Sequence, residues 1–148
     1  MTDALRLCDW QPRSTLRVAQ HEIARPRFDV IDAHNHLGSE FAGMWQNRSL
    51  DELLDVLDQV GVVMLVDLDG GWGDHLRDEI ARVQTPHPDR FVVFAGIDYD
   101  NLSVDARFGE TEARRLRESV ALGARGLKIW KTLGLRARDL RGHLIPCL

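Results

Sequence analysis

Two histidines separated by one residue, His34 and His36, carry the clearest chemical signal in the chain. They close an apolar, strand-like run, Phe28-Asp29-Val30-Ile31-Asp32-Ala33, and Leu37-Gly38 follows them. Side chains along a strand alternate with a period of two, so the two imidazoles are expected on one side. Zinc accepts neutral imidazole nitrogens at about 2.0–2.1 Å, and catalytic zinc takes three protein ligands plus water. The pair therefore reads as two ligands of a divalent metal, zinc foremost. The competing reading is two loop histidines engaged in hydrogen bonds. Asp32 shares their parity. It is expected either to fix an imidazole tautomer from behind or to bond the neighbouring backbone.

Lys128 is the second candidate. It sits between Leu127 and Ile129 in an apolar stretch, where a lysine is costly unless paired or functional. A catalytic or substrate-binding role and a buried ion pair both fit, and Lys131 is its rival. Asp67 and Asp69 end one apolar run, and Asp98 and Asp100 follow another. They reach the same mouth, with turn and cap duty as the simpler role. Trp45, Trp72 and Tyr99 would line that mouth or pack over the core. His21, His75, His87 and His143 fall in no pattern and read as surface residues. There is no Gly-x-Ser-x-Gly elbow, phosphate loop or Cys/His nucleophile signature.

The elements that must hold these residues alternate. After the strand at 28–33 comes a loop over 34–48 that includes Phe41. Ser49-Leu50-Asp51-Glu52 is a capping box opening a helix over 50–60, with Leu50, Leu53, Leu54, Leu57 and Val60 at helical spacing and Gly61 as its stop. Val62 to Leu68 is apolar and valine-rich, as a strand buried on both faces reads. Asp74 caps a helix over 75–84 that ends before Pro86 and Pro88. Phe91–Ile97 is a third strand, Glu110–Leu122 a helix stopped by Gly123, and Arg125–Trp130 a fourth strand. Residues 131–148 read as loop or a short hairpin. Strand–helix alternation with strand starts about thirty residues apart predicts an α/β fold with βαβ units and a parallel sheet. An open doubly wound sheet and part of a (β/α)₈ barrel both fit. The first strand leads into His-Asn-His-Leu-Gly, where a nucleotide-binding sheet would place a glycine-rich turn.

The chain has 148 residues, 44% hydrophobic and 28% charged, with a net charge of −4. That suits one soluble globular domain. No basic stripe argues for nucleic acid, and no apolar run approaches the ~20 residues that cross a bilayer. Met1–Arg17 lacks the apolar segment of a signal peptide, so the expected compartment is the cytoplasm. Cys8 and Cys147 are expected as free thiols there. Residues 1–27, polar and with Pro12 and Pro26, read as an N-terminal arm with short strand pieces over a body at 28–148.

Three stretches resemble one family. Phe28–Gly38 (FDVIDAHNHLG) is similar to the first strand of the amidohydrolase superfamily, in its amidohydrolase-2 branch of TIM-barrel metal-dependent hydrolases. Asp89–Gly96 (DRFVVFAG) resembles its third strand, and Gly123–Gly134 (GARGLKIWKTLG) its fourth. The resemblance implies the first four strands of an incomplete (β/α)₈ barrel. It also implies a divalent metal at the barrel mouth, held in part by His34 and His36, and hydrolysis of an amide, ester or lactone of a small molecule. Lys128 falls where some members carry a carboxylated lysine. Some relatives decarboxylate aromatic or unsaturated acids. The family's other ligands, histidines of strands five and six and an aspartate of strand eight, would lie beyond Leu148. The alternatives are a catalytically inactive half-barrel and a self-associating protein, whose homodimer would offer a metal four histidines.

Overall fold

A computed structural model describes residues 6–38 and 44–146, so Phe41 and Cys147 lie outside the described residues. Four strands, β1 (Val30–Asn35), β2 (Val62–Asp67), β3 (Phe91–Ala95) and β4 (Gly126–Leu127), form one curled, all-parallel sheet in the order 1-2-3-4. Helices α1 (Leu50–Val60), α2 (Gly73–Glu79) and α3 (Phe108–Leu122) make the crossovers. The fold is mixed α/β, as the alternation predicts.

The ends of α1 and the C-terminus of α3 follow the sequence signals, whereas Asp74 does not cap α2: it lies inside the first turn and pairs with Arg77, and Trp72 at the N-cap makes no side-chain cap bond. The Ser49 hydroxyl accepts the Asp51 N–H at 3.1 Å, capping α1. Gly61 (φ 76°) and Gly123 (φ 117°) close α1 and α3 in the left-handed region, which glycine enters at little cost. The second helix changes character partway. After Glu79 the chain widens into a π-helical turn over Ile80–Gln84, with the Thr85 N–H reaching the Ile80 carbonyl at 2.8 Å.

One sheet face packs on the helices. Leu65, Phe91, Val93 and Ala95 meet Leu53, Leu57, Leu76, Ile80 and Val83 in a single core. Each of these larger aliphatic side chains, once buried, contributes about 1.5–3 kcal/mol. The opposite face is more open: Ile31, paired in register with Met64, is 58% exposed. Phe94 on that face spreads its ring over Gly126, where a Cβ would fall 2.6 Å from Phe94 Cε2. The sheet can take this ring only because β4 begins with glycine.

Several boundaries differ from the sequence reading: α2 opens at Gly73 and α3 at Phe108, each two residues before the expected start, and β3 stops at Ala95 rather than Ile97. The first strand runs two residues later than 28–33 and includes His34. The fourth is two residues long rather than six, because the chain turns at Thr132–Leu135, with Leu133 extended and Gly134 left-handed (φ 85°). No strand forms among the described residues of the arm: Leu7–Asp9 is a 3₁₀ turn, and residues 8–29 are exposed. Arg25 and Pro26 sit beside Gly61, and the Val30 N–H donates to the Gly61 carbonyl at 3.0 Å. The C-terminal hairpin is present as an antiparallel bridge between Arg138 and Leu144. No helix of the described residues is long and apolar enough to cross a membrane.

Candidate functional site

The His-x-His pair ends β1 at the carboxyl edge of the sheet, where parallel α/β folds gather ligands. The two rings lie 5.3 Å apart, edge to face. Strand parity alone does not produce this placement. Asp32 pairs with Leu65 and Asn35 with Asp67, so β1 carries one residue more than β2 across that step. Such a bulge re-aims side chains at a strand end. It also takes Asp32 out of phase with His36. The Asp32 carboxylate instead accepts the His34 N–H at 3.1 Å and the Asn35 side-chain amide at 2.7 Å. Of its two expected roles, the structure gives it backbone bonding.

Asp69 does what parity suggested for Asp32. Its side chain is fully buried, and Oδ1 lies 2.6 Å from His36 Nδ1. Its Oδ2 accepts the Gly38 N–H at 2.9 Å. An ionised carboxylate only accepts, so with Asp69 ionised the hydrogen of this contact sits on His36 Nδ1. Close packing enforces the arrangement, since a Cβ on Gly38 would come within 2.9 Å of Asp69 Cβ.

Beneath this loop lies a second acid. Asp67 is completely buried. Its Oδ1 accepts the Leu37 and Asp69 N–H groups, each at 3.1 Å. Its Oδ2 has no acceptor role among the described residues. Burial first, and then the neighbouring Glu79 carboxyl, push the Asp67 pKa up to about 8. Glu79, 5% exposed, is itself paired with Arg82, whose Nε donates at 3.0 Å. Arg82 Nη2 continues to the Leu37 carbonyl at 3.0 Å. Asp67 and Arg82 thus hold Leu37 from its N–H and its carbonyl respectively, one residue from His36.

Beside His36 opens a hollow of about 500 Å³ at the ends of β2 and β3 and behind the turn after β4. Asp69, Trp72, His75, Asp98, Tyr99 and Trp130 are among its lining. The Trp130 ring lies 5.4 Å from the His36 ring, which joins hollow and histidine pair into one site. His75, read from sequence as a surface residue, lines it and donates from Nε2 to the Asp69 carbonyl at 2.9 Å. Asp98 is a loop organiser: its carboxylate accepts the Asp100 N–H at 3.0 Å and is bridged by Arg115 at 3.4 Å. Trp72 and Tyr99 are wall residues, whereas Trp45 packs against the core under the Arg48 guanidinium.

Lys128 is half-buried just past β4, with Nζ 5.7 Å from the Trp130 ring centroid. No carboxylate of the described residues forms an ion pair with it. Lys131 is exposed and borders a different depression, with Leu133 and Leu144. Cys8 is a free, exposed thiol.

By donor type, His34 and His36 fit a borderline cation such as zinc. Among the described residues, no group of three or more His, Cys, Asp or Glu side chains is arranged to hold a metal ion. Glu79, Arg82 and Trp130 had no place in the sequence-derived site. Only Trp130 carried a usable signal, its position two residues after Lys128 at the end of a strand pattern. In comparisons with known proteins, the chain matches no family model, no curated protein and no solved structure.

Proposed function

We propose that residues 28–148 form the first half of an amidohydrolase-type (β/α)₈ barrel, and that the site belongs to a metal-dependent hydrolase of small molecules in the cytoplasm. The observation that carries this reading is the Asp69–His36 contact at 2.6 Å, at the carboxyl end of the strand that also bears His34. A carboxylate behind a histidine is the usual partner of a metal-ligating imidazole, fixing tautomer and ring orientation. The three stretches that resemble the family fall on β1, β3 and β4 of a parallel sheet, which suits the barrel assignment.

In this reading His34 and His36 hold a divalent ion, zinc foremost. Such an ion, when bound, lowers the pKa of its water and polarises a carbonyl. The chain's own residues do the rest. Asp69 keeps the hydrogen on His36 Nδ1, so Nε2 presents its lone pair. Trp72, Tyr99 and Trp130 give the substrate apolar walls and exclude water beside the histidines. Lys128 approaches this wall through Trp130 and is the residue assigned to substrate activation. The remaining ligands and the general base come from outside residues 1–148.

Metal analysis of the purified chain against a His34→Ala/His36→Ala double variant tests ligation. Near-stoichiometric zinc in the parent and loss in the variant support the reading, and equal contents remove it. A panel of amide, ester and lactone substrates, with aromatic acids for the decarboxylase alternative, then tests turnover.

A second reading is favoured by one observation. Among the described residues the sheet has β1 and β4 as its edges, with no further strand paired to either, and Ile31 is exposed on its open face. Such edges and faces seek partners. A self-associated half-barrel would close through β4-to-β1 pairing and bring two His-x-His pairs to one mouth. Light scattering with and without zinc separates this dimer from a monomer.

A further inference from the structure

The wall of the hollow beside His36 has an unbalanced charge. Three of its residues are carboxylates, Asp69, Asp98 and Asp100, and none of its lining is lysine or arginine. Three are large aromatic rings, Trp72, Tyr99 and Trp130. One guanidinium beside it, Arg115, is already committed: it bridges Asp98 at 3.4 Å, pairs with Glu112, and lies 5.8 Å from the centroid of Trp72, while Arg136 and Arg138 line an adjoining depression that shares Asp100. Lys128 sits over Trp130 and is not part of the wall. Asp69 is occupied by His36 and Gly38, whereas Asp100 is exposed at the rim.

Aromatic faces attract cations through their quadrupole, and carboxylates at the rim of a concave surface add to that attraction. A carboxylate ligand meets no lysine or arginine among the described residues of the same wall. A volume of about 500 Å³ lies at the size of small-molecule sites, toward their lower end. Flat rings on the wall favour a flat ligand.

We propose that this hollow binds a small planar cation, an aromatic or heterocyclic ring bearing an ammonium or amidinium group, in preference to an aromatic carboxylate. As the substrate class of the hydrolase this rests on the reading given above; as a binding preference it stands on the wall alone. It also sets this site apart from one built for aromatic acids, which would need a cation facing the carboxylate.

Benzamidine, benzamide and benzoate share one shape and differ in charge, so they are the probes. Binding is followed by tryptophan fluorescence, since Trp72 and Trp130 are in the wall, and by chemical-shift perturbation. Benzamidine is expected to bind at least about tenfold more tightly than benzoate, with benzamide between them. The preference is expected to shrink when salt rises from about 0.05 M to about 0.5 M. It should also shrink in Asp100→Asn, whose exposed side chain leaves the fold intact, and in Trp72→Leu. Benzoate binding as tightly as benzamidine, no binding by any of the three, or a preference unmoved by both variants would overturn the proposal. None of these readouts needs metal or turnover. Zinc retained on His34 and His36 with no cation preference therefore removes the substrate class alone, and a cation preference without zinc ligation removes the hydrolase alone.

Discussion

Asparagine in place of Asp67 tests the buried acid pair under the histidine loop. In the wild type, the folded state holds the Asp67 proton up to a pKa of about 8, against 3.8 for an ordinary aspartate. Below 3.8 both folded and unfolded chains carry the proton. Between the two values the unfolded chain releases it and the folded chain does not, so stability falls as pH rises. The slope is about 1.4 kcal/mol per pH unit for one full proton, or roughly 3 kcal/mol between about pH 5 and about pH 7. That is a large share of a domain stability of about 5–15 kcal/mol. Asparagine keeps the shape. Its oxygen can accept the Leu37 and Asp69 N–H groups, and its amide can donate to Glu79, with no proton to lose. Urea unfolding of both proteins, followed by tryptophan fluorescence across this pH span, checks the reasoning. The Asp67→Asn protein should gain on the wild type by roughly 3 kcal/mol as pH rises through that window. Parallel stability curves, whatever their offset, would show that Asp67 titrates normally.

Arg82→Ala leaves Glu79 buried without its cation and frees the Leu37 carbonyl. It should cost about 3–5 kcal/mol in urea unfolding, and Arg82→Lys should recover only part, because one ammonium cannot span both partners. Gly126→Ala puts a methyl against the Phe94 ring and should cost about 1–3 kcal/mol. Adding Phe94→Leu to that variant should cost less than Phe94→Leu costs the wild type, and strictly additive losses would contradict the packing described here.

The core and the crossovers were legible in the sequence because they depend on local signals. Leucines at helical spacing, Ser49, Gly61 and Gly123 each act within a turn or two. The His-x-His pair was legible for the same reason. Its support was not. Asp69 reaches His36 across 33 residues, and Arg82 reaches Leu37 across 45; nothing in the local pattern distinguishes Asp69 from a turn residue or Arg82 from a surface one. Asp32 misled because parity counts residues, and a bulge at 33–34 breaks the count. The fourth strand was overread because Ile129 and Trp130 are apolar enough to continue it, while the turn that ends it depends on Gly134 several residues on. His75 looked featureless because its role comes from where α2 docks.

The widened turn at Ile80–Gln84 has a consequence for how this helix tolerates change. An α-helix turns about 100° per residue, so one residue more or fewer rotates everything beyond it by that angle. Long-range polar links leave the helix from two residues of this turn: Arg82 to the Leu37 carbonyl at 3.0 Å, and Gln84 to the Val93 N–H at 2.8 Å and the Gly123 carbonyl at 3.0 Å. The π turn sets the phase between the first of these and the last. Deleting a single residue from 80–84 would leave a more regular helix, but its far end would face the wrong way, with Gln84 swung off β3. In this segment length works as angular information, and point substitutions should be far better tolerated than insertions or deletions.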